Sequence, residues 1–477
     1  MPFDFVIIGS GPAGSTLAWK LAKLNFNIAL VDQANVKKKK IHDYFLPYVN
    51  KSPNNYNPVF SNRLGGNSLL WHSKVYLISE KEFHLGEWPF EYNELIDNSK
   101  ELSKLLNIEK PVNLEKTEID DEGKFHYHYS ERCKFRNIYK YLKISELSNI
   151  TIFQDSSPIR INYDDKNKAT SVIIKNKINL DEIKLDINKS IIFCAGGIGN
   201  PHLILNLVPN ASDSTGKYLS DHPHVRVGKI SSKEFIKYKK IFRPNIKNNI
   251  KEIIGDEKKE EVAAVYKENN TVVGVQLDYK LDPLRTLRAL FLKIPSPVIR
   301  KFLNLFVSFV TKLNGLIFKF GLIFGNYYKY SFEFFFSQSQ EESNKVFLDN
   351  KTVDEFGLKK VNIDWNISSK DQNHYNSILN KMIGEKGFLK KRNAKNEFIS
   401  NFYKSGGCGL HPSCTTKMGL SEENSVVDKN LKINNTKNVY VCGSSVFPIN
   451  GITNPTWTIM TLSNRLAKYL SEYWHNK

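Results

Sequence analysis

Phe3-Asp4-Phe5-Val6-Ile7-Ile8-Gly9-Ser10-Gly11-Pro12-Ala13-Gly14 decides the fold. Residues 3–8 are apolar apart from Asp4, a short β-rich run that reads as a buried parallel strand. Residues 15–24 carry helical periodicity, and residues 27–31 form a second apolar strand ending at Asp32. The glycine pattern GxGxxG therefore stands between a strand and a helix, with an acid about twenty residues further on. Each position has its own reason. Gly9 permits the tight turn, Gly11 lets a pyrophosphate approach the backbone, and Gly14 lets the helix pack on the strand. With Ser10, Pro12 and Ala13 they form a cradle at a helix N-terminus, whose amides and dipole favour phosphate. Asp32, followed by Gln33, is placed to accept from a ribose hydroxyl.

Further apolar strands ending in small-residue turns lie far downstream. Residues 190–195 run into Gly196-Gly197, with a helix expected to begin at Pro201, and residues 438–442 run into Gly443-Ser444. Such strands fit a doubly wound α/β sheet whose ligand lies outside the strand ends. Their separation makes the nucleotide domain discontinuous, with boundaries expected at 1–75, 145–225 and 425–477. A substrate domain with an antiparallel sheet and helices then takes 76–144 and 226–424. No second GxGxxG follows, so one tightly held cofactor taking electrons directly from substrate is expected. Leu64-Gly65-Gly66-Asn67-Ser68 is a second glycine turn able to present backbone amides.

Composition narrows the class. The chain has 477 residues, 41% hydrophobic and 25% charged, which excludes collagen-like, coiled-coil and wholly disordered readings. Its net charge of +19 suits an anionic partner, or reflects only a lysine-rich composition. Five sparse cysteines argue against a disulfide framework and for a reducing compartment. No signal peptide is read at the N-terminus, so a cytoplasmic location is expected. Residues 37–40 read as a solvated basic loop. Residues 283–330 hold eight basic residues and no acid. Their spacing puts a basic stripe on an apolar helix, which fits either a membrane surface or a helical hairpin packed on protein. No helix-turn-helix or zinc pattern appears, so nucleic acid is not an expected partner.

Several blocks, in order, resemble the glucose–methanol–choline (GMC) oxidoreductases. They are the opening turn with Asp32, then Arg63-Leu64-Gly65-Gly66-Asn67-Ser68, Phe193-Cys194-Ala195-Gly196-Gly197 and Gly216-Lys217-Tyr218-Leu219-Ser220-Asp221-His222-Pro223. The C-terminal blocks are the most specific: His411-Pro412-Ser413-Cys414-Thr415-Thr416-Lys417-Met418-Gly419, then Gly443-Ser444-Ser445, then Asn454-Pro455-Thr456-Trp457. Within that family the chain looks most like the bacterial branch linked to sugar and exopolysaccharide metabolism.

The resemblance implies a discontinuous Rossmann-like FAD-binding domain and oxidation of an alcohol, sugar, polyol or lipid-linked sugar, by hydride transfer to flavin N5. It implies His411 as base and Asn454 as its partner. It also implies cofactor contacts from residues 9–14, Asp32, Gln33, Gly65, Gly66, Asn67, Ser68, Ala195, Gly443, Ser444, Pro455 and Thr456. The chemistry agrees, because an imidazole with an ordinary pKa near 6.5 is a neutral base at physiological pH. Asn454 can donate to the alcohol oxygen without changing charge. Pro455 suits a helix start, and the helix dipole behind Thr456 would stabilise charge on the reduced ring. Where some relatives attach FAD through a histidine, this chain has Leu70, so FAD is expected to be non-covalent. His222 and His224 are expected to be structural rather than metal ligands. A flavin-containing lyase acting on a lipid or cyanohydrin-like substrate is the competing reading, and the electron acceptor stays open.

Overall fold

The computed structural model describes residues 2–34, 48–50, 56, 58–71, 74–108, 125–132, 137–230, 260–268, 271–279, 330–383, 408, 410–452 and 454–476. The loop at 37–40 and nearly all of the basic segment 283–330 lie outside them.

The strands in chain order are β1 (Pro2–Ile8), β2 (Ile28–Val31), β3 (Tyr48–Asn50), β4 (Lys74–Val75), β5 (Phe125–Arg132), β6 (Ile150–Phe153), β7 (Ser156–Tyr163) and β8 (Ala169–Asn176). After them come β9 (Glu182–Phe193), β10 (His224–Ile230), β11 (Glu260–Glu268), β12 (Thr271–Tyr279), β13 (Tyr330–Phe336), β14 (Lys345–Val353), β15 (Lys359–Asp364) and β16 (Val439–Val441). The helices are α1 (Pro12–Lys23), α2 (Glu80–Leu85), α3 (Tyr92–Leu105), α4 (Ile138–Tyr141), α5 (Gly196–Leu207), α6 (Ser369–Ile383) and α7 (Thr456–His475). No described helix is long and apolar enough to cross a membrane.

The architecture is mixed α/β with a Rossmann-like sheet. Its order is β6-β2-β1-β9-β8-β7, with β16 added to β9. The pairs β6–β2, β2–β1, β1–β9 and β9–β16 are parallel, whereas β9–β8 and β8–β7 are antiparallel. β9 is long enough to pair β8 along Glu182–Asp186 and β16 along Ile191–Phe193. Phe5, Val6, Ile7 and all of β2 are buried, as expected for strands covered on both faces. The register puts Ile8 opposite Val31 and Phe193, and Phe193 opposite Val441. Four strands from distant parts of the sequence thus end at one level, and the turns that follow them face one place.

The C-terminal helix fastens this domain. Its Trp457 indole donates to Ser99 Oγ at 2.8 Å, and Asn464 donates to Asn98 at 3.1 Å. Glu101 of α3 receives Lys20 of α1 at 2.6 Å and Lys468 of α7 at 3.0 Å. So α3, although it lies within the 76–144 segment, packs on the nucleotide-side helices. The second sheet, β10-β13-β12-β11-β5-β4, is antiparallel throughout, and β14-β15-β3 form a third.

One local expectation is corrected. Helix α5 starts at Gly196, directly after β9, and Pro201 lies inside it. Proline has no N–H to give the carbonyl four residues back. That carbonyl, on Gly197, is instead taken by the Thr415 hydroxyl at 2.6 Å.

Candidate active site

At the shared level of the strand ends lies a cavity of about 580 Å³. That volume is within the roughly 300–1,000 Å³ of small-molecule and cofactor sites. One end is the opening turn. Gly9 adopts φ +106°, and a β-carbon there would meet the Cys194 carbonyl oxygen at 2.6 Å. Gly11 faces open space, with nothing within 4 Å of a β-carbon built on it. Pro12 and Ala13 bring the start of α1 to the wall, beside Asp32 and Gln33. Asp32 accepts from the Ser10 amide at 2.5 Å and the Ala34 amide at 2.8 Å. Burial pushes its carboxyl above the usual aspartate range, and these hydrogen bonds pull in the opposite direction.

The second glycine turn lies against the first. A β-carbon on Gly66 would approach the Gly11 α-carbon at 3.0 Å, and the Gly65 amide donates to Ser10 Oγ at 3.1 Å. Asn67 clips residues 59–61 to the turn, donating to the Val59 carbonyl at 2.8 Å and accepting from the Ser61 amide at 2.9 Å.

The far chain end supplies the opposite wall. Residues 411–418 run beside 444–446. Ser444 Oγ donates to the Pro412 carbonyl at 2.7 Å, and the Cys414 and Thr416 amides donate to the Ser444 and Ser445 carbonyls at 3.2 and 2.8 Å. Asn200, fully buried, ties this layer to the sheet. It accepts from the Ala195 amide at 2.7 Å and donates to Ser445 Oγ at 2.8 Å. The loop ahead of Asn454 is anchored at Ile452. The buried Glu82 takes the Ile452 amide at 2.7 Å and the Ser79 amide at 3.0 Å.

Most expected residues line this cavity: Gly9, Gly11, Pro12, Ala13, Asp32, Gln33, Gly66, Asn67, Ala195, Gly443, Ser444, Pro455 and Thr456, together with His411 and Asn454. Ser10, Gly14, Gly65 and Ser68 do not line it. Ser10 and Ser68 are fully buried and spend their polar groups on the turns: Ser68 Oγ donates to the Gly65 carbonyl at 2.6 Å and accepts from the Ile138 amide at 3.2 Å. These four shape the cradle without facing its contents.

Sequence reading missed two groups. Ser156, Ser157 and Pro158 border Gln33, whose side-chain amide donates to Ser157 Oγ at 3.1 Å. Their signal was the pairing of β6 with β2, which cannot be read from sequence spacing. The second group, Asp221, His222 and His224, sits on the same wall as His411. Asp221 and His222 stand in the Gly216–Pro223 block, with His224 just beyond it, and the two histidines are expected from sequence to be structural.

The comparisons agree with this geometry. Residues 7–36 match the family of NAD(P)-binding Rossmann-like domains, and residues 341–463 match the family described as GMC oxidoreductase. The chain thus carries a match to the GMC oxidoreductase C-terminal domain at residues 341–463, behind a Rossmann-like dinucleotide match at residues 7–36, and the two together support an oxidoreductase. None of the curated proteins compared with it matches. Solved structures that share its fold include the following three. One is a pyridoxine 4-oxidase from Mesorbium loti, at TM-score 0.62 and 14% identity, with 99% of each chain covered. Another is a formate oxidase of Aspergillus oryzae, at TM-score 0.64 and 13% identity, covering 100% of this chain and 99% of that one. The third is an FAD-dependent oxidoreductase from Chaetomium thermophilum, at TM-score 0.60 and 15% identity, covering 99% and 100%.

Proposed function

We propose that the chain oxidises an alcohol group on a sugar, polyol or lipid-linked sugar, with FAD as its non-covalent cofactor. The observation that carries this reading is that His411 and Asn454 line the same cavity as the Gly9–Ala13 turn and Asp32. The residues fit a dinucleotide. Gly11 leaves an open face at a helix N-terminus, and Asp32 and Gln33 stand beside it. Gly66, Asn67, Ala195, Ser444 and Thr456 continue the wall toward the imidazole. When bound, FAD supplies the acceptor for the hydride leaving the alcohol carbon.

The remaining work falls to side chains. His411, as the neutral imidazole, takes the hydroxyl proton while the carbon–oxygen bond becomes a carbonyl. Asn454 donates its amide N–H to the same oxygen and holds the carbon in place. The test is an anaerobic screen of polyols, sugars and sugar nucleotides, followed by flavin absorbance. Bleaching by one class without any added oxidant is the expected result. Purified protein that is colourless and does not take up added FAD would sink the proposal.

A further inference from the structure

Asp221 is only 1% exposed, and its carboxylate gathers three donors from separate parts of the chain. Oδ1 accepts from the His222 amide at 2.7 Å and the His411 amide at 3.3 Å, and Oδ2 accepts from the Tyr56 hydroxyl at 2.8 Å. Its backbone is fixed as well. The Asp221 amide donates to Gln338 Oε1 at 3.2 Å, an oxygen that also receives the Trp365 indole at 3.0 Å. The Asn450 side chain donates to the Asp221 carbonyl. Two further amide bonds strap the neighbouring residues, Ser220 N–H to Ser413 carbonyl at 3.2 Å and Ser413 N–H to Ser220 carbonyl at 3.0 Å.

The result is a fixed pair of imidazoles. The rings of His222 and His411 stand edge to face, 4.9 Å between centroids and 77° between planes, and both line the cavity. His222 is 4% exposed. Two imidazolium charges at that spacing would repel, so a charge on one ring opposes a charge on the other. The other ionisable groups lining the cavity among the described residues are Asp32, Tyr76, Cys194, His202, Asp221, His224 and Cys408, and Tyr56 bonds Asp221. Burial, and next the charge of Asp221, hold the Cys408 thiol protonated. Among the described wall residues there is no Lys or Arg.

We propose that His222 is a positioning residue for the His411 base: Asp221 anchors both backbones, and the two rings stand too close to carry charge together. His222 then sets the pH at which His411 is a neutral base, and Asp221 supplies the counter-charge for the proton that the pair accepts during turnover. This rests on His411 acting as the base, but the coupling of the two rings is measurable without that role.

The experiment follows imidazole NMR resonances of the full-length holoprotein against pH, assigned with His222→Gln and His411→Gln. In the unsubstituted protein both rings should titrate in two coupled steps. In His222→Gln, His411 should titrate once, with its pKa raised by roughly one unit, and in Asp221→Asn it should fall by a similar amount. The acid limb of the pH profile for anaerobic substrate-dependent bleaching should move in the same two directions. Single, independent titrations in the unsubstituted protein, or a His411 curve unmoved by His222→Gln, would overturn the proposal even if Asp221→Asn fails to fold. If His411→Gln bleaches at the full rate, the base assignment fails while the coupling stands.

Discussion

The α-carbon of Gly14 faces the carbonyl of Gly9 so closely that a β-carbon added there would lie 1.8 Å from its oxygen. The first turn of α1 can close over β1 only because position 14 has no side chain. Gly11, three residues earlier, has φ −62° and an open face. The two glycines therefore predict opposite phenotypes. Gly14→Ala should destabilise the protein by about 3 kcal/mol or more through overpacking. Gly11→Ala should melt at the unsubstituted temperature yet bind FAD at least about tenfold more weakly, since a loss of 1.4 kcal/mol is tenfold. Thermal melts together with a flavin titration check both.

Asn200→Ala should lower stability by about 3 kcal/mol in urea denaturation. It leaves the Ala195 amide and the Ser445 hydroxyl without the amide side chain that joins them, and each buried group left unmet costs about 1–3 kcal/mol. Asn200→Asp, which keeps the acceptor for Ala195, should recover part of the loss.

Burial raises the Glu82 pKa above its ordinary 4.5, against the pull of the Ser79 and Ile452 hydrogen bonds. For a carboxyl whose folded pKa exceeds its unfolded one, the stabilising contribution is complete below the unfolded value and fades as pH climbs through the folded value. The stability of the unsubstituted protein minus that of Glu82→Gln should therefore decline upward from about pH 4.5. A difference that grows over that interval would show that the hydrogen bonds outweigh desolvation.

His411→Ala should slow anaerobic flavin reduction by on the order of 10²-fold or more, the usual scale for a lost general base. Asn454→Ala should cost on the order of 10² in kcat, as removal of one aimed hydrogen-bond donor does. Asn454→Asp should be slower still, because a carboxylate only accepts.

The cofactor should leave with the supernatant when the protein is precipitated by acid. Leu70 lines the cavity where a histidine attachment point would stand, and an alkyl side chain forms no bond to the isoalloxazine. Colour remaining in the pellet contradicts this.

How much of this was legible in the sequence depended on range. The Gly9–Gly14 turn could be read because strand, turn, helix and acid are contiguous and each obeys a local rule. That His411 and Asn454 line one cavity with the opening turn was inferred only through family resemblance, since nothing local brings residues 411 and 454 to residue 9. Pro201 misled because a proline normally marks a helix start, and the hydroxyl of Thr415 that compensates for it lies over two hundred residues away. Asp221 was undervalued for a related reason. Its three donors come from residues 56, 222 and 411, so its role exists only in the folded chain.

The pairing of Val439–Val441 with the tip of β9 has a consequence for biosynthesis. A growing polypeptide emerges from the ribosome in order, and α1 and β1 appear first. The wall opposite them is missing until residues 439–475 have been translated. The nascent chain therefore holds a half-built cradle until residues 439–475 have followed, and a flavin cannot be enclosed on both sides before then.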